Sequence, residues 1–123
     1  PHTLLNFLYA CVSRSESFDL WSKAKRNIID VADVALIAQQ LVADTSQRNR
    51  MLNVANVANY SMVEIVNAME NIVGKPAIYN IVERGSEYKI DTSAIIPILG
   101  NAGVGFGHDY LKKVVGKYYA RSV

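Results

Sequence analysis

Two arginines and a tryptophan are the residues of this chain whose chemistry and position suit an anionic ligand. Arg26 follows the cationic stretch SKAK and begins the sequence RNIIDVADVA, whereas Arg84 lies in the polar turn ERGSE. A guanidinium directs paired N–H donors at phosphate oxygens and stays charged at any working pH. Two arginines from separate loops could clamp a diphosphate, and Trp21 could stack on a nucleotide base. The pattern therefore predicts a site for a phosphate-bearing ligand.

Each of these three residues also has a structural interpretation. Arg26 could pair with Asp30 or with a surface carboxylate. Arg84 could be a solvated arginine in a polar turn, and Trp21 could belong to the core together with Phe18. The residue types alone leave both interpretations open.

Other polar residues favour helix capping over catalysis. Asp30 and Asp33 lie three positions apart at a predicted strand-to-helix junction, and Asp33 is expected to be the N-cap of the helix that follows. Ser61 and Glu64 have the spacing of a capping box, which explains this serine without a nucleophilic role. No catalytic residue is predicted in this chain.

Neither a metal site nor a cofactor site is predicted within the chain. Four glycines between positions 100 and 107 follow a predicted helix, whereas a dinucleotide-binding loop follows a strand and opens a helix. His2 and His108 are isolated in sequence, and Cys11 is the single cysteine. A lone cysteine excludes an internal disulfide and is typical of a reducing, cytoplasmic setting.

Composition narrows the classes of protein further. With 123 residues, half of them hydrophobic, the chain is expected to form one domain, residues 1–123. Its net charge of +2 is scattered, so a nucleic-acid partner is not expected. No apolar run approaches the roughly 20 residues that span a membrane. Because the first residue is Pro1 and no leader pattern follows, we expect a piece of a longer protein.

Apolar periodicity predicts alternating helices and short strands, the pattern of an α/β unit. Turn and capping residues set the boundaries between these elements. Helices are expected over residues 3–12, 34–43, 61–73, 91–99 and 108–119, and strands over residues 18–21, 26–29, 51–55 and 77–82.

Several of these segments resemble landmarks of the extended short-chain dehydrogenases, enzymes that epimerise, dehydrate or reduce nucleotide sugars. Residues 26–35 resemble the family's Arg-x-Phe-Ile-x-Val-x-Asp-Val-Ala, and residues 52–66 resemble its Asn-Val-Ala strand with a Ser and Glu-Ile capped helix. Arg84-Gly85 and residues 91–93 are similar to Arg-Pro-Gly-Asp and Asp-x-Ser-Lys, although Ser86 and Glu87 follow where the family has its Asp. The match keeps the family's order and covers nearly the whole chain.

The resemblance implies that the chain is the C-terminal, substrate-binding lobe of such an enzyme, in which Arg26 and Arg84 hold the diphosphate of the nucleotide sugar. NAD or NADP would bind the missing N-terminal Rossmann portion, which supplies the glycine-rich loop and a Tyr-x-x-x-Lys pair, so no cofactor is expected here. Apolar surface facing that portion would favour self-association. The alternative is a stand-alone or non-catalytic α/β module for ligand binding or assembly.

Overall fold

Two pairs of short strands, flanked by helices, form a small mixed α/β unit in the computed structural model, which describes residues 3–43 and 53–120. A 3-10 turn at Ile96–Ile98 precedes the fourth helix. Within the described ranges the helices are α1 (Thr3–Arg14), α2 (Val31–Ala43), α3 (Met62–Val73), α4 (Leu99–Ala102) and α5 (Tyr110–Tyr119), and the strands are β1 (Phe18–Trp21), β2 (Lys25–Arg26), β3 (Tyr60–Ser61) and β4 (Tyr79–Val82).

The main core lies between α1, α3, α5 and one face of β1. Burial alternates along β1, so Phe18 and Leu20 point into the core while Asp19 and Trp21 point away from it. A second cluster joins Ile37 of α2 to residues around α4. The largest fully buried apolar side chains of the main cluster are Leu5, Leu8, Val12, Leu20, Ile65, Val66, Met69 and Val115.

Strand pairing brings together three segments that are distant in sequence, residues 18–26, 60–61 and 79–86. β1 runs parallel to β4, and the pairing continues beyond the strands, where Lys23 N donates to Arg84 O at 3.0 Å and Lys25 N donates to Ser86 O at 3.3 Å. β2 pairs antiparallel with β3, so Arg26 lies opposite Tyr60. Arg26 therefore sits between the segment after β4 and the strand that precedes α3.

The predicted capping box at α3 is confirmed. Ser61 Oγ accepts from Glu64 N at 3.2 Å, and Glu64 Oε1 accepts from Ser61 N at 3.1 Å. Gly74, in the left-handed conformation at φ 78°, ends the helix. The predicted strand at residues 18–21 and the closing helix are also confirmed.

The start of the second helix was predicted wrongly. α2 begins at Val31, not at residue 34, and Asp30 rather than Asp33 caps it: Asp30 Oδ1 accepts from Ala32 N at 3.0 Å, and Asp30 O accepts from Asp33 N at 2.9 Å. The preceding strand is also shorter than predicted, since it ends at Arg26. From Asn27 onward, side-chain hydrogen bonds to the loop of residues 56–59 replace strand pairing.

Two further elements differ from the prediction. In the predicted strand at residues 51–55, positions 51 and 52 lie outside the described residues, and residues 53–55 are not a strand. The predicted helix at residues 91–99 is instead a turn, the 3-10 segment and the start of α4. Pro97 lies in that 3-10 segment, where it has no backbone N–H to donate. Within the described ranges, none of the helices is long and apolar enough to cross a membrane.

Candidate functional site

Arg26 lies in the wall of an open cavity of about 310 Å³ at the junction of the two strand pairs. Two cations and several amide or hydroxyl groups face this cavity, and none of its lining side chains is a carboxylate. Such a lining suits an anionic ligand. The lining residues, referred to below as the phosphate cavity, are Trp21, Lys25, Arg26, Asn27, Asn59, Gly85, Ser86, Tyr88 and Ile90.

The guanidinium of Arg26 has few protein partners. Its Nη1 donates to Lys25 O at 3.1 Å, and in residues 3–43 and 53–120 it forms no ion pair. The pairing with Asp30 considered from the sequence does not occur, because Asp30 is bound to Lys117. A guanidinium carries five N–H donors, so most of those of Arg26 remain available to a ligand.

Trp21 separates the phosphate cavity from a second, smaller cavity. Its side chain is 43% exposed and lines both spaces, as Arg26 does. The second cavity, referred to below as the apolar cavity, has a volume of about 210 Å³ and is lined by Leu4, Asp19, Trp21, Ala24, Arg26 and Met62.

Three asparagines hold the loop behind Arg26 in place. Asn27 Nδ2 donates to Asn56 O at 2.9 Å and to Asn59 Oδ1 at 3.0 Å, while Asn27 Oδ1 accepts from Asn56 N at 2.9 Å. Asn56 is only 2% exposed and donates to Ile28 O and to Tyr60 Oη. This network was not predicted from the sequence, although the regular spacing of Asn53, Asn56 and Asn59 in NVANVAN is a visible signal.

Arg84 is near the phosphate cavity in sequence but is not among its lining residues. Its side chain is exposed, and its carbonyl accepts from Lys23 N. The next residue, Gly85, does line the cavity, with φ 112° and so close to Ala24 that a Cβ at Gly85 would lie 2.5 Å from Ala24 Cβ. The structure thus brings Arg26 and Trp21 together, and places the backbone that follows Arg84 beside them.

A buried carboxylate network lies away from both cavities, between α2 and α5. Asp30, 6% exposed, accepts from Lys117 Nζ at 2.8 Å and from Tyr118 Oη at 2.5 Å. Burial alone would raise the pKa of Asp30, but these hydrogen bonds outweigh it and lower the pKa from 3.8 to about 2. Tyr110 Oη accepts from Asp30 N and donates to Asp33 Oδ2 at 2.6 Å. The pKa of Tyr110 is raised, mainly by burial and also by the Asp33 carboxylate. The network explains Asp33 structurally, through a partner that sequence spacing did not indicate.

The glycine run between positions 100 and 107 does not form a dinucleotide-binding loop. It spans the end of α4 and the loop before α5, with no strand in front of it, and Gly103 ends α4 at φ 74°. In the part of the chain that the structure describes, no group of three or more acidic, histidine or cysteine side chains could hold a metal ion.

Comparison with known proteins identifies no family for this chain. No family model matches the sequence. No curated protein matches it either. Among solved structures, the chain is similar to a GDP-6-OMe-4-keto-L-xylo-heptose reductase from C. jejuni, with a TM-score of 0.49 and 20% sequence identity over 84% of this chain. This chain spans 33% of that reductase chain.

Proposed function

We propose that the phosphate cavity binds the diphosphate of a nucleotide sugar, and that this chain is the C-terminal, substrate-binding portion of an NAD(P)-dependent nucleotide-sugar epimerase, dehydratase or reductase. The observation that carries the proposal is the position of Arg26. Its guanidinium lies in a cavity beside Lys25, in residues 26–35, where the family that this chain resembles binds the diphosphate of its substrate. The amides of Asn27 and Asn59 also line the cavity, but they already donate to protein acceptors, that of Asn59 to Glu87 Oε2 at 3.1 Å.

Charge supports an anionic ligand at this cavity. Lys25 has a weak pairing, with its Nζ 3.9 Å from Glu87 Oε1 and its side chain 48% exposed. Arg26 has no carboxylate partner in the described ranges. A diphosphate would receive charge-assisted hydrogen bonds from both cations. Such hydrogen bonds are roughly twice as strong as those between neutral groups.

Arg84 is proposed as a second, weaker contact of the diphosphate. Its exposed side chain stands on the segment that leads into Gly85 and Ser86, so it would reach a diphosphate only by turning toward the cavity. Trp21 has the complementary part, since an exposed indole beside the two cations offers a stacking surface to the nucleoside. NAD or NADP would belong to a separate Rossmann portion of the enzyme, because the glycines of this chain do not fit that cofactor.

Titration with a nucleoside diphosphate tests the proposal. Trp21 is the single tryptophan, so its fluorescence reports binding at the cavity wall. Arg26→Ala should weaken binding by about 1.5 to 3 kcal/mol, which is about 10- to 150-fold in Kd. Arg14→Ala, at the exposed end of α1, is the matched control and should leave Kd unchanged. Equal affinity of the wild-type chain and Arg26→Ala would overturn the proposal.

The coding sequence upstream of Pro1 separates the proposal from its alternative. A reading frame that encodes a glycine-rich loop and a Tyr-x-x-x-Lys pair is the expected result. A start codon at this position would favour a stand-alone module, and a frame without the tyrosine would favour a non-catalytic ligand-binding protein.

The assembly module remains the second candidate because apolar side chains are exposed at one edge of the main core. Ile81 on β4 is 66% exposed and Phe7 on α1 is 53% exposed. Phe18 contacts Phe7 edge to face and Tyr79 at a tilt, with ring centroids 6.2 and 5.7 Å away. Self-association alone is also expected of a separated lobe, so a function in assembly predicts specifically that Ile81→Lys abolishes it and Ile96→Lys does not. A monomer by light scattering at high concentration would contradict it.

A further inference from the structure

The apolar cavity adjoins the phosphate cavity and has a different chemistry. Three apolar residues of its lining, referred to below as the apolar floor, are Leu4, Ala24 and Met62, of which Ala24 and Met62 are almost fully buried. Its volume of about 210 Å³ is below the roughly 300–1,000 Å³ that whole ligands occupy, so it suits one flat part of a ligand. Because Trp21 and Arg26 line both cavities, a ligand with its phosphates at Arg26 could place an adjoining ring here.

Asp19 is the acidic residue in the wall of this cavity. It stands two positions before Trp21 on β1, so both side chains project from the same face of the strand. In residues 3–43 and 53–120 its carboxylate is in no salt bridge, although Arg26 lines the same cavity. Its oxygens are therefore free to accept hydrogen bonds from a ligand.

A carboxylate at this position works against binding of phosphate alone. Like charges repel, and a carboxylate that gives up water without new hydrogen bonds costs binding energy. A ligand compensates for this only when it presents N–H donors to Asp19 while its phosphates remain at Arg26. The donors must also sit on a flat ring that can contact Trp21 and the apolar floor, which line the same cavity.

We propose that Asp19 selects guanine as the base of the nucleotide. This proposal rests on the proposed function and specifies its substrate class. Guanine presents N1–H and the 2-amino group side by side, which matches the two oxygens of a carboxylate. Adenine and cytosine present an amino group beside an unprotonated ring nitrogen, and uracil and thymine present one N–H between two carbonyl oxygens. Each of the other bases therefore places an acceptor against the carboxylate.

Binding of the diphosphate and selection of the base can be tested separately with four ligands, each titrated while Trp21 fluorescence is followed. The ligands are inorganic pyrophosphate, GDP, UDP and IDP; the base of IDP is guanine without the 2-amino group. GDP should bind at least about tenfold more tightly than UDP and more tightly than IDP. In Asp19→Asn, which replaces one acceptor oxygen by a donor, GDP should lose this preference while pyrophosphate binds as before or more tightly. Asp19→Ser should behave in the same way if the asparagine variant folds poorly.

The outcomes distinguish the two proposals. Failure of pyrophosphate and of every nucleotide to bind would overturn the proposed function. Binding of all diphosphates without preference for GDP would overturn only the guanine assignment. An equal loss of affinity for all nucleotides in Asp19→Asn would also overturn it, because that pattern assigns Asp19 to the ribose that they share.

Discussion

Lys117 Nζ lies 2.8 Å from Asp30 Oδ2, and this contact joins α5 to the residue that caps α2. The two residues are 87 positions apart, and the Asp30 side chain is 9% exposed while the Lys117 side chain is half exposed. Tyr110 makes a second link between the same elements through Asp33. Helix α5 is thus attached to the segment of residues 26–35, which begins with Arg26.

Acid should weaken the fold through Asp30. Its folded pKa of about 2 lies below the ordinary value of 3.8, so its stabilising contribution is present above pH 3.8 and is lost as pH falls toward 2. The contribution is about 2 kcal/mol. Urea unfolding at pH 5 and pH 2.5 should show this loss in the wild-type chain and a smaller one in Asp30→Asn.

A pair of lysine variants on α5 provides the control. Lys117→Met removes the partner of Asp30, whereas Lys113→Met breaks the exposed pair with Asp109 at 3.2 Å. Lys117→Met should reduce the acid dependence clearly and Lys113→Met should change it little, because exposed pairs are screened by solvent. Equal effects of the two variants would contradict the claim that the contact between Lys117 and Asp30 causes the acid dependence.

Removal of the Tyr110 hydroxyl should loosen the same junction. Tyr110→Phe leaves the Asp30 N–H and the Asp33 carboxylate without this partner in a largely buried place, and should cost about 1 to 2 kcal/mol of unfolding free energy. Tyr79→Phe is the matched control, because the Tyr79 hydroxyl has no hydrogen-bond partner in the part of the chain that the structure describes. Chemical denaturation measures both, and equal stability of wild type and Tyr110→Phe would refute the link.

Asn56→Asp should be strongly destabilising at neutral pH. The substitution replaces the amide that donates to Ile28 O and Tyr60 Oη by a buried negative charge, at a cost of about 2 to 4 kcal/mol. The loss should shrink in mild acid, where the new carboxyl is protonated and can donate. Asn101→Asp on the exposed side of α4 should be almost neutral in the same unfolding measurement. A loss independent of pH would contradict this assignment.

Gly85→Ala should damage the phosphate cavity. The new Cβ would meet Ala24 backbone and side chain at 2.5 Å, and φ 112° is strained for alanine, so we expect a loss of roughly 1 to 3 kcal/mol together with weaker ligand binding. Gly100→Ala has open space around its Cβ and lies in α4, where alanine is favoured, so it should be neutral or slightly stabilising. Ligand binding and unfolding should be measured on both variants. Unchanged stability of Gly85→Ala would contradict the clash with Ala24, and normal binding would contradict a contribution of Gly85 to the phosphate cavity.

Local signals were sufficient for part of the fold. The capping box of Ser61 and Glu64 and the stop at Gly74 depend on neighbours within one helical turn, so the sequence predicted α3 well. The start of α2 was misplaced because two aspartates competed for the cap, and the choice depends on Lys117 and Tyr110, which are far away in sequence.

For the candidate site, residue type and position singled out Arg26 and Trp21, and the structure places both at one cavity. Their roles in ligand binding stay predictions. The support from Asn27, Asn56 and Asn59 was missed because it depends on contacts across about 30 positions. A role for Asp19 could not be predicted from sequence, because it depends on the fold that places Asp19 beside Trp21 in the lining of the apolar cavity.

The most direct test of the central claim is to map the binding of inorganic pyrophosphate by amide and arginine side-chain NMR signals. If Arg26 binds the diphosphate, shifts should concentrate on the amides of Lys25, Arg26 and Ser86 and on the Arg26 Nε–H signal, and Arg26→Ala should abolish most of them. Shifts that instead concentrate on the lysines of α5, or the same shifts in Arg26→Ala, would contradict the assignment of Arg26 as the diphosphate-binding residue.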